Sequence, residues 1–548
     1  MKIISFVLSI VFINQLLSAK TINLELNSKT LAVQVYSKYL SFAIDSAYLL
    51  GINFWKDDSE SDEEASQKFH KLDLTNKKLI KLTKNLGPSY LRIGGSDADE
   101  IYYNVFKSND KKYLNHDQLI SKNFKSSLEI KDWENLQYFV KEINGSLMFT
   151  INAGPSSRDE SKNWNNQNFI ELLNFTKKRN DPKIIWEFGN EVNAWWLRYG
   201  LLEQPTPLAY ANDYHLAHST LNKYKNDESL AGPASAFWPL AGENIPVLSD
   251  YTSIVAPEII PLIFSGFLEQ SKLYDFPVDL VTWHYYPTQS DRCPQLVAAT
   301  EQNFYDLSTY DEVRKWANKV KTDRDNNRPK ANLWLGESGP AQCGGQKGLS
   351  NTYLNSLWWM DHLGSVALFD SKVVIRQSLV GSDYGLLNEA DLKPTADYFS
   401  SILWKQLMGE KVLKVEGLDL HNPGEARIYA HCTPKSSPYY EKSSVSFLLI
   451  NLSINKDFDF ILPEKILNSN LTSASWNEWM LTTDGTNVLS QTIKLNNKIL
   501  VVDESGNLPS MIPLKNTYLL KKSITIKPFN MAFLSFKVDP EKFNLCEN

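Results

Sequence analysis

The stretch Lys183-Ile-Ile-Trp-Glu-Phe-Gly-Asn-Glu191 decides how the chain is read. Residues 184–188 have the length and apolar make-up of a buried strand. Gly189 breaks it, and Asn190 and Glu191 follow at once. A second stretch, Leu333-Trp-Leu-Gly-Glu-Ser-Gly339, repeats the form, with an apolar run closed by Gly336 and Glu337. Similar runs stand at 90–93, 147–151, 280–283, 332–335 and 373–376, with amphipathic stretches such as 165–179 and 353–363 between them. Strand and helix alternating over residues 38–408 predict a parallel (β/α)8 TIM barrel with insertions. Beyond it the helical pattern stops. Segments 426–432, 445–452, 458–462, 475–481, 524–527 and 531–538 predict an antiparallel β-sandwich over 409–548. The alternating stretch 21–35 predicts N-terminal strands, within 20–37, that join this sandwich.

A β/α barrel gathers the C-terminal ends of its strands on one face, where active sites sit. Glu191 and Glu337 can therefore converge although they are far apart in sequence. Two converging carboxylates are what glycoside hydrolysis needs: one protonated, to assist the leaving oxygen, and one ionised, to attack the anomeric carbon. Glu191, after an Asn that could hold a sugar hydroxyl, suits the acid/base. Glu337, between small neighbours, suits the nucleophile. Either alone is an ordinary acid among 63. Asn-Glu and Gly-Glu, each after a Trp-bearing strand, are specific together, and Glu187 inside its strand reads as structural. Other strand ends carry Arg92-Ile-Gly-Gly-Ser96, Trp283-His-Tyr-Tyr286 and Arg376-Gln377, groups that suit a carbohydrate cleft. There is no G-x-S-x-G, H-E-x-x-H or Walker loop and no zinc spacing, so no metal or cofactor is expected.

With 548 residues, 43% hydrophobic and 12% aromatic, the chain is neither disordered nor collagen-like, and its four cysteines exclude a disulfide knot. A net charge of −6 argues against a globally basic nucleic-acid binder. Residues 1–19 read as a signal peptide: Lys2, an apolar run over 3–17, then Ser18 and Ala19. No later run is long and apolar enough for a membrane span. A secreted product is expected, extracellular or lysosomal and monomeric. Sequons at Asn144, Asn174, Asn451 and Asn470 fit that route. The oxidising route makes disulfides plausible among Cys293, Cys343, Cys432 and Cys546. The acidic run 57–64 reads as solvated loop. The lysines over 107–125 read either as solvated surface or as a contact for a polyanion.

The ordered set FAIDS (42–46), YLRIGGS (90–96), WEFGNEVN (186–193), VTWHYY (281–286), LGESGPAQCGG (335–345), VVIRQ (373–377), Tyr384 and IYAHCT (428–433) resembles the heparanases, endo-β-glucuronidases of glycoside hydrolase family 79. The resemblance implies acid/base Glu191 and nucleophile Glu337. It implies glucuronate contacts from Asp45, Ser96, Asn190, Gln377 and Tyr384. The backbone N–H groups of Gly344 and Gly345 would face the sugar carboxylate, and His284 and Tyr286 fit the family's sixth-strand pair, with Tyr286 near the nucleophile. It implies a disulfide Cys432–Cys546. Cys293 and Cys343 are left over and are expected to bridge two rim loops, Cys343 standing where the family has glycine. Lys122 and Lys125 match a basic stretch of the family and become candidate contacts to a glycosaminoglycan. Two departures stand out. The interval 103–124 is short, so an active single chain without excision is expected. At 232–238 the chain offers Phe237 and Trp238 where the heparan-binding form has Gln and Arg, and Arg292 is a candidate replacement cation. The expected activity is retaining cleavage of glucuronosyl linkages in heparan sulfate. The alternatives are hyaluronan cleavage, exo-β-glucuronidase action, or a non-catalytic heparan-sulfate-binding homologue.

Overall fold

Eight parallel strands, buried on both faces, close into a barrel in the computed structural model, which describes residues 19–52, 71–225, 227–239, 263–467 and 475–547. The leader apart from Ala19, the acidic run 57–64 and Asn470 lie outside these residues. In chain order the barrel strands are Leu40–Asp45, Tyr90–Gly94, Ser146–Ile151, Ile185–Phe188, Ser229–Phe237, Leu280–Tyr285, Asn332–Ser338 and Ser371–Arg376. The eighth pairs with the first to close the ring. Helices such as Gln167–Arg179, Pro207–Tyr224 and Tyr353–Ala367 cover the outside. Their starts are set locally: Thr206 accepts the Ala209 N–H ahead of Pro207 at the first helical position.

Two barrel strands are not legible in the sequence. Leu40–Asp45 mixes Ser and Asp into its run, and Ser229–Phe237 (SLAGPASAF) has no β-branched residue and contains Gly and Pro. The second is held by register instead. Thr282 pairs with Pro233 and Trp283 with Ser235, so Ala234 is an extra residue, a bulge with φ 50°. Its carbonyl accepts the Glu191 N–H at 3.0 Å.

The C-terminal segments, together with the two N-terminal strands, form a nine-stranded sheet faced by a three-stranded one. The N-terminal strands join both: Leu26–Gln34 pairs antiparallel with Lys411–Val415, and Lys20–Asn23 pairs with Phe458–Ile461. The second pairing is parallel, a departure from the wholly antiparallel sandwich expected. Alternation along the large sheet explains why its strands are buried throughout. Ile428, Ala430, Phe447 and Leu449 pack towards the small sheet, whereas Tyr429, Leu448 and Ile450 belong to the barrel-side core. Tyr429 accepts a hydrogen bond from Arg314 and donates to Asp361, both on barrel helices.

Both disulfides are present: Cys432–Cys546 with Cα atoms 5.3 Å apart and Cys293–Cys343 at 6.2 Å. Asn144 and Asn174 are exposed. Asn451 corrects the sequon expectation: it is fully buried, and its amide donates to the carbonyls of Lys456 and Ile526, which leaves no room for a glycan on the folded chain. Among the described residues no helix is long and apolar enough to cross a membrane.

Candidate active site

Arg92 projects from the second strand into the barrel with no solvent exposure and organises the two carboxylates. Its Nε donates to Glu187 (2.8 Å), its Nη1 to Glu337 Oε2 (2.7 Å) and its Nη2 to Asn190 Oδ1 (2.8 Å). Glu187 also accepts from Thr150 at 2.7 Å, so the acid inside the fourth strand anchors the arginine. A charge this deeply buried is tolerated only when paired on several sides.

Glu337 is the penultimate residue of the seventh strand. Its Oε1 accepts the Tyr286 hydroxyl at 2.6 Å and its Oε2 accepts Arg92, so both oxygens are held. Burial opposes its ionisation. His284 and the Arg92 guanidinium, with the Tyr286 hydroxyl, outweigh burial and hold the carboxyl below the ordinary glutamate range.

Glu191 follows the fourth strand in left-handed backbone, φ 47°. Asn190, just before it, gives its N–H to Asp99 at 3.0 Å, and the Ala234 bulge takes that of Glu191 itself. The Glu191 carboxylate is oriented on one oxygen: Trp238 Nε1 donates to Oε1 at 3.0 Å, and His284 Nδ1 lies 3.3 Å away. An oxygen of Glu191, an oxygen of Glu337 and a ring nitrogen of His284 all lie within 4.8 Å of one another. These three could in principle hold a metal ion. Arg92 and Tyr286, however, already take both Glu337 oxygens, and the buried guanidinium opposes a divalent cation there.

The carboxylates open on a cavity of about 320 Å³. One wall brings together Asp45, Ser96, Gln377 and Tyr384, four of the residues that the resemblance singles out. Gln377 donates to Asp45 at 3.2 Å. Gly95 passes directly beneath Asp45, and an added Cβ would lie 2.1 Å from Asp45 Oδ2, so only glycine fits there. Burial first, then the charges of Asp97 and Glu337, push the Asp45 carboxyl up to about 8, against the pull of the Ala47 N–H and Arg92. Burial likewise pushes Asp99 up to about 7 although it accepts two backbone N–H groups. Tyr384 is fixed from behind by Arg376, which donates to its carbonyl at 2.9 Å.

The wall nearer Glu191 holds Trp195, Leu197, Tyr199 and Trp238, a feature the sequence reading missed apart from Trp238. Phe237, grouped with Trp238 in that reading, packs outward against Phe264, Trp283 and Trp316 and does not line the cavity. Arg292 is committed to the rim, donating to Gly345 O and to Asp383. The lysine expectation is also corrected. Lys122 opens on a separate hollow beside Tyr102 and Phe106, and Lys125 gives its ammonium to Asp97 at 2.6 Å. Neither lines this cavity. Asp97 Oδ1 also accepts Arg198, which does line it and which is further paired with Glu100. Gly344 and Gly345 continue the turn after Cys343; Cys343 lines the cavity, and the two glycines are not among its lining residues.

Residues 30–234 and 253–364 match the family described as glycosyl hydrolase family 79, N-terminal domain. Heparanase-like protein 1 of Arabidopsis thaliana is 28% identical over 504 residues, 84% of each chain. A baicalin-β-D-glucuronidase of Scutellaria baicalensis is 28% identical over 507 residues, 87% of this chain and 86% of its own. Among solved structures, a 4-O-α-L-rhamnosyl-β-D-glucuronidase from Fusarium oxysporum shares the fold with a TM-score of 0.63 at 15% identity, covering 94% of this chain and 100% of that one.

Proposed function

The chain belongs to glycosyl hydrolase family 79 and is a glycoside hydrolase, and we propose that it is a retaining β-glucuronidase acting on a glycosaminoglycan. The observation that carries the proposal is the close approach of Glu191 and Glu337, with an oxygen of one within 4.8 Å of an oxygen of the other. Retaining glycosidases place their carboxyl groups about 5–5.5 Å apart, inverting ones about 6.5–9.5 Å. Glu337, kept ionised by its surroundings, attacks the anomeric carbon. As the bond to the leaving oxygen breaks, Glu191 gives that oxygen its proton. Water then attacks the same carbon and loses a proton to Glu191, and the Glu337 ester is released. The glucuronate ring lies against Asp45, Asn190, Gln377 and Tyr384, with its carboxylate towards the turn at Gly344 and Gly345.

Heparan sulfate is the polymer the proposal names, cut where sulfate is sparse. Arg198 stands at the cavity edge and favours an anionic chain, while Lys125, outside the cavity lining, shares Asp97 with it. They are matched by Asp97 and Glu100, which leaves little unspent positive charge for a dense sulfate cluster. A second reading, hyaluronan or a terminal glucuronide with an apolar aglycone, is favoured by Trp238 and Trp195 beside Glu191. Secretion belongs to the same proposal, supported by the leader and by the exposed sequons Asn144 and Asn174. Activity without excision is supported by the ordered 101–129 segment, where Ile101–Asn104 pairs with Ser126–Glu129.

The test incubates purified protein with heparan sulfate, hyaluronan and 4-nitrophenyl β-D-glucuronide, and sizes the products. Shortened heparan sulfate supports the first reading. Hyaluronan fragments or nitrophenol release alone supports the second. Turnover of none of the three overturns both.

A further inference from the structure

Three successive residues of the rim turn, Cys343, Gly344 and Gly345, have φ of 63°, 83° and 78°. Consecutive residues in turn conformation of this kind build the backbone concavities that bind anions. The N–H groups of Gly344 and Gly345 have no protein acceptor among the described residues, although both residues are buried. Cys343, which carries a Cβ, is held in left-handed backbone at the start of the turn.

The ties on this turn converge from the loops that follow the sixth and eighth strands. Ser290 donates to the Cys343 carbonyl at 2.8 Å and Arg292 to that of Gly345 at 2.7 Å. The Asp383 N–H donates to the Gly344 carbonyl at 2.8 Å, and Arg292 also grips the Asp383 carboxylate at 2.6 Å. Among the described residues the Cys293–Cys343 bridge is the covalent member of this set, and both cysteines line the cavity. There is no slack against the opposite wall: a Cβ on Gly345 would lie 2.9 Å from the Tyr384 nitrogen. A shift of the turn therefore moves its free N–H groups and crowds Tyr384 together.

We propose that the Cys293–Cys343 bridge positions the turn that reads the substrate's carboxylate, so that recognition of a uronate, as distinct from turnover, depends on an oxidised rim. The proposal rests on the reading of the enzyme as a β-glucuronidase. Glu191 and Glu337 are held by Arg92, Tyr286, His284 and Trp238, none of which hydrogen-bonds to the turn. Loosening the turn should then spare the chemical step and weaken substrate capture.

The experiment measures KM and kcat for 4-nitrophenyl β-D-glucuronide, and the inhibition constant of free D-glucuronate, in wild type and in Cys293→Ser with Cys343→Ser. KM and the inhibition constant are expected to rise about tenfold, the scale of one lost charge-assisted hydrogen bond, with kcat changed less than about threefold. Cys432→Ser with Cys546→Ser serves as control and is expected to lower the melting temperature without moving KM. Should the rim variant not fold, the same constants are read on native enzyme reduced with dithiothreitol, which is itself oxidised to its cyclic disulfide, and alkylated at 293 and 343. If oxidised wild type cleaves the glucuronide and loss of the bridge leaves KM and the inhibition constant unchanged, the positioning role is wrong and the function stands. If oxidised wild type does not cleave it at all, the reading of the function fails first.

Discussion

The indole N–H of Trp238 donates to Oε1 of Glu191 at 3.0 Å, so one aromatic residue both walls the cavity and orients its acid/base candidate. Trp238→Phe keeps the ring and removes the donor. Losing a hydrogen bond to a charged group is worth about 1.5–3 kcal/mol, so kcat/KM should fall about 10–100-fold on substrates with poor leaving groups. Nitrophenyl glucuronide, whose leaving group needs little protonation, should fall far less. Equal losses across a leaving-group series would place Trp238 in binding alone.

Glu337→Gln removes the nucleophile and should lower turnover by about 10⁴-fold or more, with the protein still folded and binding product. Glu191→Gln should lose about 10²–10⁴-fold on natural linkages, the usual worth of general acid–base catalysis. Stopped turnover of a heparan sulfate or hyaluronan digest, checked against an unchanged circular dichroism spectrum, reads both. Full turnover by Glu337→Gln would refute the assignment.

Glu187 looks like a structural acid in the sequence, yet it is what keeps Arg92 in place. Breaking a buried pair by removing one partner costs about 3–5 kcal/mol, because the other charge is stranded. Glu187→Gln should accordingly lower the melting temperature. It should also lower kcat more than it raises KM, because Arg92 then holds Glu337 and Asn190 less firmly. Calorimetry and initial rates separate the two effects.

Asp45 sets a pH dependence of stability. Its folded carboxyl titrates at about 8 against an ordinary value of 3.8, so between those values the folded chain holds a proton that the unfolded chain has lost. Stability therefore rises as pH falls through that window and declines as pH climbs towards 8. Asp99, raised to about 7, acts in the same sense. Glu337, held below its ordinary value, acts oppositely: its contribution is present above that value and is lost as pH falls through the lower folded one. Asp45→Asn should raise the melting temperature at pH 7.5 and converge with wild type near pH 4. A constant offset at all pH values would count against the argument.

Material secreted from a eukaryotic host should carry glycans at Asn144 and Asn174 and none at Asn451, whose amide is spent inside the sandwich. Glycopeptide mapping by mass spectrometry checks this directly.

Much of the barrel is written in its apolar runs, because parallel strands buried on both faces need them. The fifth strand is silent for the opposite reason. Small residues and Pro233 give it no hydrophobic signature, and its neighbours' register imposes its place. The two carboxylates are legible because strand, break and acid stand adjacent in sequence. Arg92 is legible only as part of a strand-end motif, since nothing local says that its side chain turns inward to bond Glu187, Asn190 and Glu337. The aromatic wall fails to register for a related reason: Trp195, Leu197 and Tyr199 lie on short helical turns after the fourth strand and carry no period of their own. The lysine run shows the reverse error. Charge is visible in sequence, but the Asp97 that takes up Lys125 is a neighbour only in space.

The N-terminal strands have a consequence for how the molecule is made. Lys20–Asn23 and Leu26–Gln34 emerge before any barrel residue, yet their partners Phe458–Ile461 and Lys411–Val415 emerge after the whole barrel. Folding as it is synthesised, the chain must carry unpaired strand edges through most of translation, a state exposed to aggregation. The barrel is in effect an insertion within the sandwich, whose own covalent tie, Cys432–Cys546, closes only after the whole barrel has been made. Loss of residues 20–34 would strip a strand from each sheet, and loss of Cys546 would remove the bridge, so the catalytic unit is not one that can be shortened from outside inwards.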